Sequence, residues 1–289
     1  MYYLLLLILY PLALLPLQVL YLLSDFAFFI LYRIIGYRRD VVEDNLRRAF
    51  PEKTEEEIKG ISKKFYKSFC DQWIETLKLL AMSNAQLERR ITVDWDVFNE
   101  LYDEKRSGYF LMSHTFNWEW ANVITQRRAK HLMVNMYLPP ESKAFDRLMR
   151  RIRKGPGLLI SVKAIKEGLK AIKPGQLYMM GLISDQNPSN LNKVIWLSFM
   201  GRTAPFFISS AQTARKDRAA IVFGTIMKKK RGYYHLHLQR FTEDASKHSA
   251  EEIMTSYVHY IEDAIREQPE NWMWTHKRWK HIPPTATEQ

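Results

Sequence analysis

The chain is poor in cysteine, in glycine-rich loops and in acid. Of 289 residues only one, Cys70, is a cysteine. That excludes a disulfide framework, a cysteine-based zinc site and a paired redox motif, and leaves Cys70 an expected core residue. No Gly-x-Ser-x-Gly elbow, phosphate-binding glycine-rich loop or His-Glu-x-x-His helix occurs, which sets aside three common enzyme chemistries. There is no internal repeat, and after residue 40 no linker-like stretch. Asp and Glu number 31 against 43 Lys and Arg, a net charge of +12. Such a balance points to an anionic partner: nucleic acid, an acidic membrane surface, an acidic carrier protein or a phosphorylated substrate.

Apolar residues make up 47% of the chain and aromatic ones 13%, enough for a large core and suited to a membrane interface. Tyr2 to Leu23 is almost wholly apolar, and Phe26 to Tyr32 continues it. About 20 such residues span a bilayer. A signal peptide is disfavoured by the absence of a basic leading region and the length of the run. Pro11 and Pro16 leave open a kinked helix or one lying partly in the interface. Arg33, Arg38 and Arg39 follow, so the positive-inside rule puts the rest of the chain in the cytoplasm. The expected division is an anchor over residues 1–36 and a catalytic domain over 37–289.

Strand and helix signals alternate through that second part, so the expected fold is α/β. Asp40–Phe50 reads as a short amphipathic helix. Thr54-x-x-Glu57 is a capping box opening a helix to about Met82. Gln86–Arg90, Ser142–Ile152, Val162–Ile172, Pro205–Ala214 and Ala250–Arg266 also read as helices. Gly108–Met112, His131–Tyr137, Gln176–Ile183, Val194–Phe199 and Ala219–Ile226 read as strands, with Tyr233–Gln239 hairpinned onto the last. His235 and His237 share a strand face, but the sequence offers no third metal ligand nearby. The stretch Pro269–His281 mixes aromatic and basic residues, which suits nucleic-acid stacking or a membrane interface equally. Pro283–Gln289 reads as a frayed tail.

The centre of the chain is Ser113–Trp120. His114 falls at the carboxyl end of a strand, and Asn117 caps a helix whose first turn holds Glu119. Along one helix their spacing is about 140° of rotation, which separates the side chains. A strand-to-helix turn between them lets the carboxylate fold back onto the imidazole, fix its tautomer and raise its basicity. This is how a histidine becomes a general base for a hydroxyl. Asp185 occupies a similar place at the end of another strand, where ligands gather in open α/β sheets.

With these residues in view, the chain resembles the bacterial lipid A biosynthesis acyltransferases, the late lauroyl/myristoyl type within the glycerolipid acyltransferase superfamily. The likeness runs through Val41-x-x-x-Asn45-Leu46, His114-x4-Glu119, Arg151-x-Arg153, Asp185-Gln186-x-Pro188, Phe199-x-Gly201-Arg202 and the terminal Trp272-x-Trp274-x-His276-x-Arg278. It implies one acyltransferase domain, a mixed sheet flanked by helices, behind an N-terminal membrane-anchoring helix at the inner membrane. It further implies transfer of a fatty acyl group from an acyl thioester, normally acyl carrier protein, to a hydroxyl of a lipid A precursor. His114 would be the base, oriented by Glu119. Arg151 or Arg153, in a register that the turn at Gly155-Pro156-Gly157 leaves open, would bind anionic groups. Asp185 and Gln186 would help hold substrate. No cofactor, metal or nucleic acid is implied. Acyl-CoA as donor, another polar lipid as acceptor, and a non-enzymatic membrane-anchored binding module are the alternatives.

Overall fold

A computed structural model describes residues 1–188 and 190–283. Most of the expected tail therefore lies outside the described residues. The body is an α/β sandwich around one sheet, whose strands are β1 (Ile91–Val93), β2 (Gly108–Met112), β3 (Leu132–Tyr137), β4 (Leu158–Ser161), β5 (Tyr178–Ile183), β8 (Ala220–Lys230) and β9 (Tyr233–Thr242). A separate antiparallel pair is formed by β6 (Val194–Phe199) and β7 (Arg202–Phe207). The main sheet runs β1-β9-β8-β2-β5-β3-β4. From β8 to β4 all neighbours are parallel; β9 turns back antiparallel to β8, and β1 lies parallel to β9. The sheet is mixed, as expected.

β2 is central and buried along its whole length. Tyr109 and Leu111 point into one core, and Phe110 and Met112 into the other. A strand covered on both faces reads as a continuous apolar run, which is why this one is legible. The β8–β9 hairpin turns at Arg231-Gly232, where Gly232 has φ +73°, a conformation that glycine adopts without strain. The capping box at Thr54 and Glu57 is formed in both directions and opens the long helix Glu55–Lys78. Cys70 is buried on it, and burial pushes its thiol up to about 12.

The apolar N-terminus is two helices. Leu15 precedes Pro16 and is extended (ψ 149°), as a proline forces on the residue before it. This ends the helix Tyr2–Leu14, and a second runs from Leu17 to Phe28 and continues through Phe29–Ile35. The stretch Leu17–Ile35 is long and apolar enough to cross a membrane. One face of it is docked on the body. Tyr21 donates to Glu75 (2.7 Å), Ser24 donates to Asp71 (2.7 Å), and Arg231 bridges Asp25 and Asp71. The other face leaves Leu22, Phe26, Phe29, Ile34 and Ile35 exposed.

Two expectations fail locally. Pro205 opens no helix. It sits on β7 opposite Trp196, in a two-stranded sheet where its missing N–H breaks no ladder on both sides, and the helix begins at Ser209. The helix expected over 162–172 shrinks to Ile165–Leu169, behind the unforeseen strand β4. β1 and the helix Trp95–Asp103 were not foreseen either.

Candidate active site

β2 and β5 are adjacent and parallel, with Met112 opposite Ile183. His114 and Asp185 each follow their strand end by the same two residues, so they meet above the sheet. The Asp185 carboxylate holds the histidine twice: Oδ1 lies 2.6 Å from the ring Nδ1, and Oδ2 accepts the His114 backbone N–H at 2.8 Å. An ionised carboxylate only accepts, so Nδ1 carries the proton and Nε2 is left with its lone pair. The His114 side chain is 22% exposed, whereas Asp185 is fully buried.

A third group completes the arrangement. Trp272 donates its indole N–H to Asp185 Oδ2 at 2.6 Å. Burial alone would raise the Asp185 pKa. The nearby imidazole and the N–H donors of His114 and Trp272 outweigh it and bring the group down to about 2. Trp272 is placed by backbone pairing: Thr115 and Trp272 form an antiparallel bridge, Phe116 N–H donates to Asn271 O, and Met273 N–H to His114 O. The terminal stretch is thus an inner wall of the site. Trp272, Trp274 and Arg278 are all fully buried. These three side chains are closed to stacking on nucleic acid, while Lys277 and Lys280 of the same stretch are exposed.

Glu119 is not the partner of His114. Asn117 caps the helix Trp118–Arg128 as expected, by accepting from Trp120 N–H. From the first turn the Glu119 carboxylate reaches Arg153, whose Nε donates to it at 2.8 Å. Trp118 stands between the two groups, edge-on to the His114 ring and donating its indole N–H to Glu119. Burial lowers the Arg153 pKa, and the Glu119 bonds and charge more than reverse that. Arg151, one helical turn-end away, is exposed and pairs with no carboxylate among the described residues. Gln186 is half-buried beside Asp185.

Behind the loop, the buried Glu75 accepts from Asn117, Tyr234 and Tyr21, and its backbone carbonyl accepts from Trp120. Burial pushes its pKa up. His276 is half-buried edge-on to Trp272, with Nε2 buried and unpartnered among the described residues, and desolvation lowers its pKa to about 4. Neither Glu75 nor Trp272 is marked as part of the site by local pattern. The only signal for Trp272 is its place in the terminal Trp-x-Trp-x-His run.

One further cluster corrects the sequence reading. Asp94, just past β1, lies against His235 and His237, and the three ligand atoms fall within 4.8 Å of one another. This trio sits at the β1 edge of the sheet, where β8 separates β9 from β2.

A histidine base held by a buried carboxylate, at the carboxyl ends of parallel strands, fits deprotonation of a hydroxyl attacking an activated acyl group. The model of the bacterial lipid A biosynthesis acyltransferase family matches residues 1–281. The chain belongs to that family. It is an acyltransferase, with an acyl donor and a lipid acceptor as its substrates. No curated protein matches the chain.

Proposed function

We propose that this acyltransferase moves a fatty acyl group from acyl carrier protein thioester to a hydroxyl of a lipid A precursor, with His114 as general base. The observation that carries the reading is the 2.6 Å contact between His114 Nδ1 and the buried Asp185, which turns the ring's other nitrogen into the acceptor.

His114 Nε2 takes the proton of the acceptor hydroxyl as its oxygen bonds to the thioester carbonyl. Asp185 stabilises the imidazolium that forms. As the tetrahedral intermediate collapses, the C–S bond breaks and the imidazolium returns its proton to the leaving thiolate. General-base assistance of this kind contributes about 10²–10⁴-fold. Glu119 is assigned a different part from the one its spacing suggested. With Arg153 it forms a buried ion pair that fixes Trp118 against His114. Gln186 lies next to Asp185, where it can touch the acceptor.

The site belongs at the cytoplasmic face of the inner membrane. Residues 1–36 act as the membrane-contacting part and the rest as the catalytic domain. Support comes from the exposed apolar side of Leu17–Ile35, from Arg33 near the end of that stretch and from Arg38 and Arg39 just after it.

The test uses membranes carrying wild-type protein or His114→Ala, incubated with labelled acyl carrier protein thioester and a lipid A precursor. The expected result is an acyl-sized mass gain on the lipid that requires His114. Undiminished product from the variant would remove His114 from the mechanism. Transfer from acyl-CoA alone, or only to another lipid, would keep the chemistry and change the substrate.

A further inference from the structure

Of the two arginines expected to bind anions, Arg153 is committed to Glu119, and Arg151 lies exposed at a helix end without a carboxylate partner among the described residues. Lysines gather in a different wall. Lys64, Lys67 and Ser68 fall at i, i+3 and i+4 on the helix Glu55–Lys78, one face of that helix. Lys228 and Lys230 lie on either side of a bulge in β8, which pairs Lys228 with Tyr234 and Lys230 with Tyr233 of β9. The helix and the strand border a cavity of about 260 Å³, lined further by Gln268, Glu270 and Asn271.

Three of these lysines have no carboxylate within salt-bridge distance among the described residues. Lys228 is tied to Ser68 (3.1 Å) and Asp71 (3.4 Å). Lys67 lies over the ring of Phe28 and Lys230 over that of Tyr233. Gln268 fixes the strand beneath them, exchanging hydrogen bonds with the Lys228 N–H and carbonyl. Lys64, Lys67 and Lys230 stand against a single carboxylate of the lining, Glu270, an excess of positive charge that a bound anion would offset.

The cavity also stands beside the reactive loop. Gly224 of β8 pairs with Met112 of β2, so Lys228 and Lys230 lie on the part of β8 that runs on past the end of β2, toward the side where His114 follows. Asn271, a wall of the cavity, accepts from Phe116 N–H and precedes the Trp272 that holds Asp185. Phe28 belongs to the apolar N-terminal helix, so Lys67 marks the side of the cavity facing that helix.

We propose that this lysine-lined cavity binds a phosphate group of the lipid acceptor's headgroup and thereby sets the headgroup beside His114. The proposal rests on the reading of the protein as an acyltransferase acting on a polar lipid. A lipid rather than an acidic protein is the occupant because the cavity borders the apolar helix and is the size of a headgroup, not of a helix face.

The experiment measures transfer by the purified full chain, using one acceptor lipid with its phosphate and the same lipid after phosphatase treatment. Removing the phosphate is expected to raise the wild-type KM at least tenfold with kcat nearly unchanged. Lys64→Gln with Lys67→Gln is expected to abolish that difference, while the KM for the thioester donor holds. Lys64→Arg with Lys67→Arg is expected to keep it. A phosphate effect as large in the glutamine variant as in wild type would overturn the proposal. So would a raised KM for carrier protein thioester with the acceptor KM unmoved, which would make the cavity a carrier-protein dock. Vesicle flotation provides an arm independent of turnover. If the lipid A precursor is not a substrate, selective wild-type binding to vesicles containing phosphatidic acid over phosphatidylcholine alone, lost in the glutamine variant, still supports a lipid-phosphate site. A preference for phosphatidic acid vesicles as large in the glutamine variant as in wild type would sink it.

Discussion

Asp185 grips His114 by both its ring and its backbone N–H, from the end of the neighbouring parallel strand. The double contact fixes where the imidazole sits and which nitrogen is basic. Asp185→Asn is expected to lower kcat about 10²–10⁴-fold with a smaller change in KM, since an amide no longer stabilises the imidazolium. Steady-state kinetics at saturating donor checks it. A loss confined to KM would argue that Asp185 serves binding alone.

Trp272→Phe keeps a ring in the core but removes the donor to Asp185 Oδ2. A hydrogen bond to a charged group is worth about 1.5–3 kcal/mol, so kcat is expected to fall at least tenfold with the fold retained. Near-UV circular dichroism and turnover, measured together, separate the two effects.

The Glu119–Arg153 pair separates the two arginines left open by sequence. Arg153→Ala leaves a carboxylate buried without its cation and is expected to cost about 3–5 kcal/mol of stability. Arg151→Ala is expected to change stability by less than about 0.5 kcal/mol, as for an exposed residue without partners. Thermal or chemical melting in detergent reads both. Equal effects at the two positions would contradict the pairing.

His276 gives the fold an acid-sensitive edge. Burial holds its pKa near 4, below the 6.5 of an exposed histidine. Between those values the unfolded chain binds a proton that the folded chain refuses, so stability is full above pH 6.5 and falls as pH drops toward 4. The loss is on the order of 3 kcal/mol. Unfolding free energy followed across that window should show the slope in wild type and a flatter one in His276→Gln.

The N-terminal helices are part of the packing of the body. Leu17 and Leu20 are buried, and Tyr21 and Ser24 bond to the buried acids Glu75 and Asp71. A chain starting at Tyr37 is therefore expected to aggregate or melt well below wild type rather than yield a soluble enzyme. Size exclusion after expression decides this. A monodisperse, active product would show that the docking contributes nothing.

Local pattern carried the reading of single elements and stopped at the contacts between them. The buried strand Gly108–Met112, the Thr54 capping box and the hairpin at Gly232 each announce themselves within a few residues. The equivalence of His114 and Asp185 was legible too, since both end apolar strands. Their contact was not, because strand order across a parallel sheet is set by packing of distant segments. The same gap hid Asp94 beside His235 and His237, which meet only because β1 joins the far edge of the sheet. Glu119 was misassigned because its nearest basic group in space is Arg153, 34 residues on. Pro205 misled in a more local way: proline favours the first turn of a helix and an edge strand alike, and only the partner strand decides.

The bridge between Thr115 and Trp272 has a consequence for how the enzyme is made. Asp185 waits 87 residues of synthesis for the indole that completes its shell, and the loop holding His114 waits for the backbone that pins it. A ribosome that has finished the whole sheet has still not finished the catalyst. A chain stopped anywhere before Trp272 would leave Asp185 without its indole and the His114 loop without that backbone, however much of the core had already folded.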